Sequence, residues 1–288
     1  MPTGIINGTS HQTFDRQVFR HRAGVIFEPQ FDSTSTLKVT FNGTVRNGHI
    51  IENDFSNGTD EAGNLLNQSV RRRLNDTEGE VASLNSIWKK KLRKAGRTIS
   101  WDVSGSFDQR RHNGFLYSEN VFYAAPTADS TVIVDQRKVS NASSSAFSSN
   151  IAYTEPIADA LKLVVNYRLA VINGSSLRQS FNPGALPGDY TVLDSLCSSD
   201  FKLNQLANEL GASLNFIKRK TNMNFGTKVS CVDFDQTDRD AGTRFERNFV
   251  NHNPQVSFRY RIAQQKICRY LITDGTHNPP SSKFNRSA

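Results

Sequence analysis

The sequence predicts an all-β fold, an antiparallel up-and-down meander of about ten long strands. Three observations carry this. Apolar residues recur with a period of two over unusually long stretches, short polar turns divide the strands into pairs, and helical spacing fits these stretches less well. A period of two places one residue set on each face of a sheet, because successive strand side chains point to opposite sides.

The elements follow in order. After the turn at Phe31 to Ser35, Leu37, Val39, Phe41, Gly43 and Val45 alternate with Lys38, Thr40, Asn42, Thr44 and Arg46. Asn53 to Glu78 reads as a long polar loop. Within it, Asp60 to Leu74 is the one mildly helical stretch, weakened by Gly63 and nearby asparagines. The turn at Arg93 to Arg97 precedes Ile99, Trp101, Val103, Gly105 and Phe107, which face away from Ser100, Asp102, Ser104, Ser106 and Asp108. This pattern runs on towards Phe122, far beyond the usual strand. A second loop is expected over Ala124 to Ser144 and a turn over Glu155 to Asp159. From Leu161 the apolar set is Leu161, Leu163, Val165, Tyr167, Leu169 and Val171, with Lys162, Asn166 and Arg168 opposite. A third loop covers Asn182 to Asp200, followed by Leu206, Leu210, Ala212, Leu214 and Phe216 on one face. The turn at Lys218 to Thr221 leads into Met223, Phe225, Val229 and Cys231, facing Asn222, Asn224 and Lys228. The fourth loop is Asp235 to Asn251. Val256, Phe258, Tyr260 and Ile262 then alternate with Ser257, Arg259 and Arg261 before a turn at Ala263 to Lys266. The first four turns centre near 33, 95, 157 and 219, each 62 residues beyond the last. No motif recurs at that spacing, so the repeat is one of architecture.

Short turns at one end and long loops at the other are the arrangement of a transmembrane β-barrel of the outer-membrane type. Aromatics near the short turns (Phe27, Trp88, Trp101, Tyr153, Phe216, Phe225 and Tyr260) suit a belt at a lipid–water interface. The opposite faces are polar and mixed in charge, as in a barrel interior, and the apolar faces would meet lipid. The competing reading is a soluble all-β binding or adhesin-like module, which requires the apolar faces to pack together and the protein to be soluble without detergent.

Composition narrows the function classes. The chain has 288 residues, 36% hydrophobic and 22% charged, which is too apolar for wholesale disorder. No apolar run reaches the length of a membrane-spanning helix. Met1-Pro2-Thr3-Gly4 opens no basic and apolar leader, so no signal peptide is read in the chain as given. Cys197, Cys231 and Cys268 form neither a zinc spacing nor a disulfide framework. Of the net charge of +8, Lys89 to Arg97 (KKKLRKAGR) concentrates six cations. Such a run is a candidate phosphate surface. Only Trp88 and Trp101 flank it, so a solvated turn or a contact with anionic lipid is expected, and nucleic acid is not an expected partner. Asp233, Asp235, Asp238 and Asp240 are spaced like a calcium loop without its central glycine and closing glutamate, and Arg239 interrupts them; an acidic external loop is expected. Eight glycosylation sequons, including Asn42, Asn57, Asn141 and Asn173, follow from an Asn-, Ser- and Thr-rich composition. The histidines (His11, His21, His49, His112, His252, His277) do not cluster, and His112 beside Arg110 and Arg111 is a candidate pH-responsive group. No Ser/His/Asp set, Cys/His pair or phosphate loop is present, so no catalytic residue, cofactor or metal site is assigned and no enzyme is expected.

Four stretches, 21–43, 88–123, 161–184 and 245–266, resemble the barrel region of an outer-membrane β-barrel protein family allied to the TonB-dependent receptors of Gram-negative bacteria. The resemblance rests on strand and turn texture, including Leu92-Arg93-Lys94 in a turn and Asn166-Tyr167-Arg168 in a strand. It implies a bacterial outer-membrane location, ligand capture by external loops at residues the sequence does not identify, and plug rearrangement driven by TonB. It also implies a longer parent with a signal peptide, a TonB-contacting segment and a plug ahead of the barrel, so that TonB coupling would act only through those parts.

Two regions are expected on this basis: a partial barrel over 1–266 and an irregular tail over 267–288. Part of that tail, Gly275 to Arg286, admits a back-translation whose shifted frame reads Asn-Thr-Gln-Pro-Ser-Ile-Lys-Gln-Ile-Gln-Pro. That string resembles what the family carries after this hairpin. The expectation is an out-of-frame tail on a fragment, and coding DNA unable to yield the string refutes it.

Overall fold

The computed structural model of the chain describes residues 6–124, 127–263 and 266–273. They form one antiparallel sheet. In order the strands are β1 (Asn7–Phe27), β2 (Ser35–Thr59), β3 (Leu65–Lys91), β4 (Thr98–Ala124), β5 (Thr127–Ala158), β6 (Leu161–Asn182), β7 (Val192–Leu193), β8 (Ser199–Lys218), β9 (Thr221–Asp238), β10 (Thr243–Ala263) and β11 (Lys266–Thr273). Each long strand pairs with the next, and the two-residue β7 adds only to β6. β1 and β11 are the edges of the path, so the sheet is open.

The register explains why this sequence forms one layer. Phe41 stands opposite Val25 and Leu84. Leu84 in turn faces Gly105, Gly105 faces Phe147, and Phe147 faces Val171. Val171 then meets Leu206 on β8. The apolar sets predicted strand by strand therefore lie on one continuous face. A slip of one residue in any pair would send that strand's apolar set to the other side, so burial of this face in an apolar medium fixes the register.

The sheet curls towards its polar face. Ser118, Gln136, Ser180 and Ser230, four of the most enclosed polar residues, all lie on that side, as does Val232. The apolar side is convex and open: Leu210 is 60% exposed and Phe225 64%. Among the described residues Val232 is the one buried hydrophobic side chain, so there is no second layer against which the convex face packs. A soluble sandwich requires such a layer.

Two expectations are corrected. The polar segments read as long loops are mostly strand. β2 and β3 run to Thr59 and from Leu65, leaving 60–64 as the turn, and β9 and β10 leave only 239–242. The mildly helical stretch from Asp60 is this turn plus the start of β3: Asp60 accepts from the amide and side chain of Asn64, and Gly63 takes φ +85°. Beyond the apolar band both faces are wetted, so the hydrophobic alternation fades while the backbone ladder continues. Of the four predicted loops, the stretch between β6 and β8 keeps a long irregular connection. There Asp194 caps a one-turn 3-10 helix, Ser195–Cys197, by accepting from the amides of Leu196 and Cys197. The second difference concerns the tail. Lys266–Thr273 pairs with β10, so regular structure continues past 266, and 274–288 lies outside the described residues. The turn expected at Ala263 to Lys266 contains residues 264 and 265, which also lie outside them.

Candidate functional site

The short-turn rim is built first. Trp88 and Trp101 stand directly opposite each other on the convex face. Each indole N–H is satisfied by a neighbouring strand: Trp88 donates to Ser35 Oγ at 3.0 Å and Trp101 to Ser149 Oγ at 2.9 Å. Phe27, Tyr153, Phe216, Phe225 and Tyr260 occupy the same face. All seven predicted belt aromatics thus share one side, with rings towards an apolar phase and the polar tips of Trp88, Trp101 and Tyr153 hydrogen-bonded.

The basic run at this rim is committed to turn chemistry. Lys90 bonds Asp32 at 3.0 Å, and Asp32 also accepts from the Thr34 amide and hydroxyl and the Ser35 amide. These partners, the Thr34 hydroxyl foremost, hold the Asp32 carboxyl well below the usual carboxylate range. Lys94 reaches Glu155 at 2.6 Å, and Arg97 grips the same carboxylate through Nε at 2.7 Å and Nη2 at 2.9 Å. Tyr153 donates to it as well, at 2.6 Å. Arg97 above all, then Lys94 and Tyr153, press the Glu155 carboxyl well below its ordinary value. Three of the six cations therefore bind acidic groups of adjacent turns.

The other predicted candidates disperse. Asp233 and Asp235 lie on the convex face of β9, while Asp238 accepts from the Asp240 and Ala241 amides in the following turn. Asp235 is gripped by Arg244 through two 3.0 Å bonds, which lower its carboxyl below the ordinary value. Among the described residues no group of three or more His, Cys, Asp or Glu is placed to hold a metal ion. Arg110 and Arg111 directly precede His112 in sequence but part in space. Arg110 bonds Asp108 at 2.9 Å on the concave side, and Arg111 points to Glu78 on the convex side.

The concave face carries a charge pattern that sequence reading did not find. On β1, β3, β5, β6 and β10 its positions include lysines and arginines and no Asp or Glu. Beyond the apolar band, at the long-loop end, this face holds a cleft of about 560 Å³ between β3, β4 and β5. Arg71, Arg73, His112, Ser118, Asn120 and Lys138 line it, with no carboxylate in the lining. Arg73 Nη2 bonds Glu52 at 2.6 Å and Asp54 at 3.3 Å, but its buried Nε has no partner among the described residues. Burial lowers the His112 pKa, with Asp76 partly opposing. Gly114 makes room: a Cβ there would sit 2.5 Å from Asn75 Oδ1 and 2.6 Å from the Leu74 carbonyl. A second cleft lies on the convex side and is acidic, lined by Asp233, Asp235 and Glu246.

Comparison with known proteins follows this geometry. Residues 90–270 match the outer membrane protein beta-barrel family. Among solved structures, the chain aligns with the ferric citrate transporter FecA in its unliganded form at 10% identity and a TM-score of 0.37. That alignment covers 84% of this chain and 42% of FecA. It also aligns with BauA, the ferric preacinetobactin receptor from Acinetobacter baumannii, at 9% identity and a TM-score of 0.34, covering 87% of this chain and 45% of BauA. The chain thus spans less than half the length of either. No curated protein sequence matched the chain. With more than half of its residues matched, and with a convex apolar face, a concave polar face and an aromatic rim, the chain belongs to the outer membrane protein beta-barrel family of bacteria.

Proposed function

We propose that this chain is wall and external rim of an outer-membrane receptor or transporter barrel of the TonB-dependent type. One observation carries the reading: the register gathers the apolar sets on the convex face and turns a polar, charged face inward. That division suits a wall between lipid and an aqueous passage. The open edges at β1 and β11 call for further strands, since an unpaired ladder in hydrocarbon leaves backbone donors and acceptors unsatisfied. Ligand capture is assigned to the strand extensions beyond the apolar band, and coupling to TonB to parts outside this sheet. The chain does no covalent chemistry on this reading.

The test is fractionation of cells expressing the full chain, followed by electrophoresis of heated and unheated samples. The proposal expects the chain in the outer-membrane fraction, extractable only with detergent and migrating differently when unheated. Free solubility of a folded chain would overturn it.

A further inference from the structure

We propose that the concave cleft between β3, β4 and β5 is a binding site for a small polyanion bearing carboxylate or phosphate groups. The proposal rests on the reading of the concave face as the barrel interior. Arg71 and Lys138 bring two cations to the lining that have no ion-pair partner among the described residues. Arg73 adds the unpartnered Nε, while its Nη2 is anchored by Glu52 and Asp54 and so fixes the guanidinium in place. The Ser118 hydroxyl, which accepts from Asn120 Nδ2 at 3.3 Å, keeps its own proton to donate on β4. Arg71, with no ion pair of its own among the described residues, presents a planar fork that can match two carboxylate or phosphate oxygens at once, and Lys138 adds a point charge beside it.

The size of the cleft favours a small molecule over a macromolecule, as ligand pockets commonly span about 300–1,000 Å³. Its position also matters. The cleft lies above the apolar band on the same concave wall whose β1, β3, β5, β6 and β10 positions lack carboxylates. The field of that wall draws anions inward, and the low-dielectric sheet behind it strengthens the attraction. The convex face at this height carries Asp76, Glu78, Asp135, Asp233 and Asp235 among its charges, and the carboxylates nearest the cleft on the concave side, Glu52 and Asp54, are engaged by Arg73.

Outer membranes from cells expressing the full chain, or carrying an empty vector, are incubated with radiolabelled pyrophosphate and, separately, radiolabelled propane-1,2,3-tricarboxylate. The two arms distinguish phosphate from carboxylate ligands. Saturable binding of at least one probe is expected, weakened tenfold or more in the double variant Arg71→Gln, Lys138→Gln. Arg71→Lys should retain binding, and Arg168→Gln, which removes a concave charge at the depth of the apolar band, should leave it unchanged. Heat-modifiable migration of every variant is checked in parallel. Absence of saturable binding in a chain that is heat-modifiable and membrane-inserted overturns this inference and leaves the barrel reading standing. Equal loss in Arg168→Gln overturns it as well, since binding would then follow bulk charge. A third arm uses radiolabelled polyglutamate, and saturable binding of it but of neither small probe overturns the inference in favour of an acidic polypeptide partner.

Discussion

Val103 and Ser104 are neighbours on β4 that face opposite sides of the wall, and they offer a sharp test of its orientation. Val103 stands opposite Ser86 and Ser149 on the convex face, at the middle of the apolar run from Ile99 to Phe107. At about 3.4 Å per residue that run is about 27 Å long. A strand tilt near 40° brings its height to about 21 Å, close to the apolar band of such barrels. Val103 therefore sits about 10 Å below one boundary and above the other, at the bilayer midplane, where an arginine facing lipid costs about 2–4 kcal/mol. Ser104, laterally paired with Asn85 and Ser148, faces the polar interior. There an arginine keeps its hydration, and about 1 kcal/mol or less is expected. The assay is urea unfolding in phosphatidylcholine vesicles, followed by the emission of Trp88 and Trp101 at the rim. With a denaturant slope of about 2 kcal/mol per molar, Val103→Arg should lower the midpoint by roughly 1–2 M and Ser104→Arg by a few tenths. Equal costs, or a larger cost for Ser104→Arg, would refute the assignment of lipid to the convex face.

Three further outcomes are expected. Because the Glu155 carboxyl is held below its unfolded value, its grip on Lys94 and Arg97 is fully present above the ordinary carboxylate range and is lost as pH falls through the depressed folded value. Amide exchange at Leu92 and Arg97, read against intrinsic rates, should lose protection on acidification in the native chain and lack that pH dependence in Glu155→Gln. Gly96 holds φ +80° in the β3–β4 turn, and a Cβ there would meet Pro156 only at ordinary contact distance. Gly96→Ala should therefore cost about 1–2 kcal/mol through backbone strain alone, while Gly105→Ala, with nothing near its Cβ position, should be close to neutral in the same urea titration. Gly114→Ala drives a methyl against the Leu74 carbonyl and should cost about 1–3 kcal/mol; a wild-type midpoint would show that the β3–β4 ladder yields there at no cost.

The fold was legible where one face had to meet an apolar phase. Between Leu37 and Val45, Ile99 and Phe107, or Leu161 and Val171, the medium selects every second residue, and the selection survives in the sequence as a period of two. The aromatics of the rim were legible for the same reason. The extensions were not: from Asn53 to Glu78 both faces are wet, so nothing selects hydrophobic residues, and composition reads as loop although β2 and β3 are paired almost throughout. The candidate cleft was lost with them, because Arg71, Arg73 and Lys138 lie in segments read as loops. A residual signal existed in the two-residue spacing of Arg71 and Arg73. It becomes meaningful only once the register sets β3 beside the concave positions of β4 and β5. The run Lys89 to Arg97 misled in the opposite sense: its charges are conspicuous in the chain, but their partners, Asp32 and Glu155, come from turns about 60 residues away.

β5 is 32 residues long, and before Phe147 its convex face carries only two isolated apolar residues, Ile133 and Val139. The part from Thr127 to residue 145, at about 3.4 Å per residue and a 40° tilt, rises roughly 45–50 Å above the lipid boundary. Such a collar is a stiff tower. To bend it inward, several consecutive ladder hydrogen bonds on neighbouring strands would have to break together, unlike a flexible loop that swings on two hinges. Even the irregular connection at the tower's height, 183–198, is tied to the wall: β7 pairs with β6, Tyr190 donates to Asp135 at 2.7 Å and Gln136 donates to Asp194 at 2.9 Å, so it too moves only by breaking bonds to the strands.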